Sequence, residues 1–312
     1  SNPQNFLPVA NKEAEAEEAP VQQKKKVYPI NSWLPHELSI FMLSFNGGFF
    51  DSVSYVKFNR VFTASITGNL VGVVSFFYLS DGVLLRFLVS TFFVLGALLA
   101  TIINVKLKLV DEWKPRSIYI FLFTLEAAFI IVLVIVGGIY NDIPDDDPYN
   151  RYVIILTSLM STAMGIQNAL SKEYIPNCPS TTVMTMTLIT TGVQMAYVAL
   201  YSLADASLIK LYPASRTDLE AYKADMTEKA KKARDQFATT TKPLAVFLIG
   251  SAVGTALVTT ISMYSMLLPL VLTIIPIVDM FVARNQEISN EAKNNVAPQS
   301  GDIVVVDKTT AF

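Results

Sequence analysis

Eight long apolar stretches run through the chain, at about 37–57, 62–79, 85–106, 117–139, 151–171, 181–204, 243–265 and 267–283. Each approaches the ~17–25 residues that carry a helix across a bilayer, the second and the last being the shortest. Backbone N–H and C=O groups in hydrocarbon must be satisfied within the spanning structure, so runs of this kind are read as helices. Composition agrees: 52% of the residues are hydrophobic and 16% charged, against about 25% charged in an ordinary soluble domain. The expected fold is an all-α integral membrane protein with about eight transmembrane helices, six at the fewest.

The segments between and around these runs divide the chain. Residues 1–36 form a charged tail in which Glu13, Glu15, Glu17 and Glu18 precede Lys24, Lys25 and Lys26. Residues 37–140 and 151–283 are two membrane units, and 284–312 is a polar tail expected to be disordered. The one long connection, 205–242, places Leu219, Tyr222, Met226, Ala230, Ala233 and Phe237 at helical spacing, with Lys223, Lys229, Lys231, Lys232 and Arg234 on other faces. That pattern suits an amphipathic helix on the cytoplasmic headgroups, or else a solvated helical linker. Basic residues in the loops favour cytoplasmic N- and C-termini, in a plasma or organelle membrane.

Several classes of function are excluded. With one cysteine and one histidine, the chain cannot build an internal disulfide or a standard zinc site, so no metal is expected. There is no phosphate-binding Gly-rich loop, HExxH, GxSxG or CxxC, so neither an enzyme nor a cofactor is expected. A net charge of −2 gives nucleic-acid binding no support.

The sequence repeats itself. GGFFDSVSY (47–55) aligns with MGIQNALSK (164–172), pairing Gly48 with Gly165 and Asp51 with Asn168. Downstream, Ala64-Ser65-Ile66-Thr67 meets Thr182-Val183-Met184-Thr185 after one inserted residue. Independently, FVLGALLAT (93–101) resembles FLIGSAVGT (247–255), pairing Gly96 with Gly250. Three matches in one order argue for two related four-helix repeats. Four is even, so both repeats would enter the membrane in the same sense, about an axis along its normal. The Gly96-x-x-x-Ala100 and Gly250-x-x-x-Gly254 pairs fit close helix contact, expected within each half.

Ionisable groups inside apolar runs mark the candidate site. Asp51 lies before the turn around Lys57–Arg60 and Thr67 after it, so both fall ~10 Å below the surface on neighbouring helices. Asp51 is expected to be the ionisable centre of the site, oriented by the Thr67 hydroxyl and the Asn69 amide, with Glu126 as a second proton acceptor. Glu126, about nine residues into its run, must point into the bundle, because hydrocarbon rejects an exposed carboxylate. Asn168, with Gln167 and Thr185, would add hydrogen-bonding groups from the second repeat. Asp279 lies close enough to Arg284 for a local ion pair.

FNGGFFDSVSY, VFTASITGN, LEAAF, MGIQNALSKEY and TTVMTMTL together resemble the YoaK-like membrane proteins, a family classed as a domain of unknown function. The resemblance covers about residues 38–283. It implies a compact helical membrane domain of six or more spans and no established activity. It marks Asp51, Thr67, Gly68, Asn69, Glu126, Gln167, Asn168, Thr182 and Thr185 as motif residues. Met186 stands where the family usually has glycine, and the 205–242 insertion and both tails are extra to the common core.

The sequence reading is therefore a transporter for a small polar solute, coupled to a proton or a cation, with its site at the interface of the repeats. The alternative is a structural or scaffold membrane subunit. The expected partners are the lipid bilayer and the solute or cation, with a homo-oligomer or a larger membrane complex left open.

Overall fold

The computed structural model describes residues 36–75, 82–109, 111, 113–140, 148–175, 184–206 and 219–296. The N-terminal tail, Cys178, Thr182 and the end of the C-terminal tail lie outside these residues. The described chain forms α1 (His36–Lys57), α2 (Ile66–Ser75), α3 (Val83–Leu109), α4 (Pro115–Ile139), α5 (Arg151–Tyr174), α6 (Met184–Asp205), α7 (Leu219–Ile261) and α8 (Leu267–Val296). A 3-10 turn, Ser262–Met266, joins α7 to α8. Local chemistry explains several boundaries. Pro115 opens α4, where a missing N–H costs nothing. Asn150 caps α5 by accepting from the Tyr152 N–H at 3.0 Å. Asn59 and Arg60, both at positive φ, reverse the chain after α1.

Five helical stretches among the described residues are long and apolar enough to cross a membrane: α3, α4, α5, most of α6, and the stretch from Lys223 to Gln286 that contains α7, the turn and α8. The protein is a multi-pass helical membrane protein. α1 stays outside that set because it is rich in polar residues, yet Ser44, Asn46, Asp51 and Ser54 are all buried. The bundle, not lipid, receives them. α2 is a larger departure from the eight expected crossings. Its 10 residues span ~15 Å, about half the hydrocarbon thickness.

The return of the chain after α2 sets the direction of everything that follows. α3 begins on the side where α1 ended: Gly82 lies beside Asn59, and the Arg86 guanidinium donates to the Arg60 carbonyl at 3.2 Å. α4 and α5 are antiparallel, with Tyr119 against Tyr174 at one end and Tyr140 stacked on Tyr152 at the other. α3 and α5 are parallel, since the Ser161 hydroxyl donates to the Val89 carbonyl at 2.7 Å and Tyr174 bonds Asn104 further along both. α1 and α7 are parallel through Phe45–Gly250 and Phe49–Gly254, while Gly137 on α4 meets Met263 just before α8 begins. Thus α1, α4 and α7 run one way, and α3, α5 and α8 the other. The sequence-matched pairs α1/α5 and α3/α7 are opposed, not co-directional as an even count of crossings implied. His36 and Val296 end on the same side.

Glycines set the closest contacts, and these join different halves of the chain. A Cβ on Gly48 would land on the Phe247 carbonyl, and one on Gly250 on the Phe45 carbonyl. Gly96 meets Thr162 and Gly165 meets Phe93 in the same way. The small-residue motifs therefore pack α1 on α7 and α3 on α5, correcting the expectation of packing inside each half.

α7 runs for 43 residues through Pro243, ~65 Å and about twice a bilayer. Its first part belongs to the 205–242 connection. Arg234 donates to the Ser202 hydroxyl at 3.1 Å, tying that part to the end of α6. Met226, Ala230 and Ala233 are buried while Lys231, Lys232 and Arg234 are exposed. Protein covers the middle of the apolar stripe, and Phe237 is half-buried. The helix α8 likewise continues through 285–296, residues the sequence assigned to the tail.

Candidate functional site

The structure gives Asp51 a different set of partners from those expected. One carboxylate oxygen accepts from the Ala64 N–H at 2.6 Å and the Ser65 N–H at 3.1 Å, and the other from the Ser65 hydroxyl. These groups lead into the first turn of α2, where unpaired N–H groups favour an anion. Thr67 is exposed. Asn69 instead clamps the loop, accepting from the Phe62 N–H at 3.0 Å and donating to the Phe62 carbonyl at 2.5 Å. Thr63 adds a bond to the Phe50 carbonyl at 3.3 Å. The first motif region is thus a buried anchor that holds a half-length helix against α1. The Asp51 oxygens are already occupied.

Glu126 is the opposite case. It is wholly buried, and no group among the described residues donates to either carboxyl oxygen. Two amides share that state in part. Gln167 is wholly buried, donates to the Leu43 carbonyl at 3.1 Å and leaves its side-chain oxygen unpaired. Asn46, one turn beyond Leu43, donates to the Thr273 hydroxyl at 3.2 Å and also leaves its oxygen unpaired. Buried polar atoms are nearly always hydrogen-bonded, so such a set in one protein calls for an explanation.

Helix geometry places these groups at one level. Glu126 and Gln167 each stand seven residues from the Tyr119–Tyr174 contact, on the same sides of α4 and α5 as those rings. Seven residues are almost two turns, so the level is ~10 Å from that contact. From the other end, Glu126 is ~16 Å along α4 from Gly137, and Thr273 about as far along the turn and α8 from Met263, which touches Gly137. α4 packs on α5 and α8, and α1 on α5, α7 and α8. Glu126, Gln167, Asn46 and Thr273 therefore lie near one mid-height level among α1, α4, α5 and α8, with Asn46 bonded to Thr273 and Gln167 to the backbone of α1.

The remaining sequence candidates lie apart from that centre. The Asn168 amide donates to the Met164 carbonyl of its own helix at 2.9 Å. Thr185 belongs to the first turn of α6, with its side chain outside the described residues. Asn46 and Thr273 were not singled out. Asn46 was legible as an amide inside an apolar run, five residues before the more conspicuous Asp51. Thr273 carried no such signal.

A cavity of about 40 Å³ opens between α3, α4 and α5, bordered by Asn104, Leu122, Leu170, Glu173 and Tyr174. Leu122 and Leu170 are one turn from Glu126 and Gln167. The Tyr174 hydroxyl donates to the Asn104 side-chain oxygen across it.

These features define a polytopic helical membrane protein whose own helices enclose a polar centre. Over residues 39–278 its sequence matches the family described as proteins of unknown function, DUF1275. The chain belongs to that family, in agreement with the resemblance to YoaK-like proteins. No curated protein and no solved structure matches it.

Proposed function

We propose that the protein is a transporter for a small polar solute, coupled to a proton or another cation, with its site between two internally related halves. One observation carries this reading: Glu126 is enclosed at mid-bundle with neither oxygen paired. A carboxyl in hydrocarbon costs a few kcal/mol on insertion scales, so a purely structural role would favour paired oxygens. An ion or solute supplies the missing partner transiently.

The exchange of glycine contacts favours internal duplication. Gly48 and Gly165 align, as do Gly250 and Gly96, and α1 packs on α7 as α5 packs on α3. With the matched helices opposed, the halves form an inverted repeat, whose interface is where transporters of that kind bind their substrates. The halves correspond to 37–140 and 151–283, with the 205–242 segment added to the second. Cytoplasmic N- and C-termini are part of this reading, supported by Lys223, Lys229, Lys231, Lys232 and Arg234 in the long extension of α7.

In this proposal Asp51 anchors the half-helix α2, and Glu126 with Gln167 and Asn46 forms the binding centre. The test is uptake of a panel of labelled polar metabolites into proteoliposomes under an imposed proton or sodium gradient. Flux present in the wild type and absent in Glu126→Gln supports the reading. Absence of gradient-driven flux across the panel favours the scaffold alternative, a role with which the fully paired Asp51 is compatible.

A further inference from the structure

The unpaired side-chain atoms of Glu126, Gln167 and Asn46 are all oxygens, and the unpaired buried hydroxyl of Ser44 stands on the same turn of α1 as Asn46. The two Glu126 carboxyl oxygens, the Gln167 side-chain oxygen and the Asn46 side-chain oxygen are buried without a donor, while the amide nitrogens of Gln167 and Asn46 are both engaged. The bonds of those nitrogens fix the orientation of each amide. Gln167 is tied to the backbone of α1 and Asn46 to Thr273 on α8, so each oxygen is presented by a held group. The three residues offer oxygen lone pairs and carry no positive charge of their own.

We infer that Glu126, Gln167 and Asn46 form a binding site for a monovalent cation, reached from the cavity beside Asn104 and Tyr174. The inference rests on the site proposed above and names its ligand. Charge sets the valence. One carboxylate neutralises one positive charge, and the neutral amides complete the oxygen shell without adding more. A divalent ion would leave a net positive charge inside the bundle, and calcium or magnesium sites draw on more oxygens and commonly on several carboxylates or retained waters. An alkali metal ion accepts these lone pairs directly, whereas a protonated nitrogen donates hydrogen bonds to the same atoms. Both present the same chemistry to the protein.

The route follows from position. The cavity between α3, α4 and α5 has room for a water-sized species, and Glu173 stands at its border. Leu122 and Leu170, which line it, stand one turn from Glu126 and Gln167 on the same two helices. Tyr174 and Asn104 bridge α5 and α3 at that cavity. Loss of their bond would widen the entrance.

The experiment follows thermal unfolding of the full chain in detergent as choline chloride is replaced, at constant ionic strength, by lithium, sodium, potassium or ammonium chloride. A saturable rise in melting temperature with at least one of the four is expected. Glu126→Gln should abolish it. Gln167→Leu and Asn46→Ala should each raise the half-saturating concentration at least tenfold, and Gly192→Ala, which has open space around its Cβ, should leave it unchanged. The alkali arms against the ammonium arm separate a metal ion from a protonated nitrogen. A folded wild-type protein that responds to none of the four more than to choline overturns the site, as does an undiminished response in Glu126→Gln. Should Glu126→Gln not fold, the other two variants decide by the same criterion. A cation response without solute flux in proteoliposomes leaves this site standing and removes transport. Solute flux indifferent to all four cations does the reverse.

Discussion

Glu126 on α4 and Gln167 on α5 stand at the same height, each seven residues from the ring contact between Tyr119 and Tyr174, and both are wholly buried with side-chain oxygens that accept no hydrogen bond. A buried carboxyl whose oxygens accept no hydrogen bond is a burden on the fold, and an isosteric neutral amide in its place need cost no more. Glu126→Gln is therefore expected to keep or raise the melting temperature while abolishing solute flux. Circular dichroism melts and proteoliposome uptake on the same preparation check both halves. A clear loss of stability in Glu126→Gln would mark the carboxyl as a clasp.

The crossing of α1 with α7, and of α3 with α5, leaves no room for a methyl group. In Gly165→Ala and Gly250→Ala the new Cβ would meet backbone carbonyls, of Phe93 and Phe45 respectively, which cannot turn aside as a side chain would. Each substitution should destabilise by about 1–3 kcal/mol or prevent folding. Gly192→Ala meets nothing within 4 Å and should be neutral or gain up to about 1 kcal/mol from helix propensity. Parallel unfolding curves for the three variants test the contrast.

Asp51→Ala removes the acceptor for the Ala64 and Ser65 N–H groups. Orphaned buried donors cost about 1–3 kcal/mol. The variant should melt lower, and hydrogen exchange should quicken first in 62–69. Its cation response should persist wherever the protein remains folded. If the response disappears while residues 62–69 stay protected, Asp51 belongs to the binding centre.

Asn69→Ala breaks both bonds to Phe62 without touching the Asp51 carboxyl. A loss of about 1–2 kcal/mol is expected from two hydrogen bonds. Faster proteolysis between Phe58 and Ser65 than elsewhere would locate the effect. Uniform destabilisation would contradict a local clamp.

Some of this was written plainly in the chain. Long apolar runs, the burial of Glu126, and the pairing of Gly48 with Gly165 and Gly96 with Gly250 follow from composition and spacing, because hydrocarbon admits only helices and forces acids inward. Spacing could not tell that the chain is back on its starting side by Gly82, since residues 62–79 are apolar enough for a crossing and length alone does not show where a chain turns. That return reverses the sense of every later helix.

The partners of Asp51 were decided by the fold alone. Sequence put Thr67 and Asn69 within reach, but the loop from Phe58 to Ser65 brings its backbone N–H groups to the carboxylate first. A backbone donor carries no side-chain signature. The polar centre at Glu126, Gln167, Asn46 and Thr273 was likewise hidden, because its members come from four helices far apart in the chain. The sequence by itself determined that this protein crosses a membrane and buries Asp51 and Glu126. Tertiary packing decided which acid is satisfied and which is left open, because that depends on which backbone groups and amides arrive at each carboxyl.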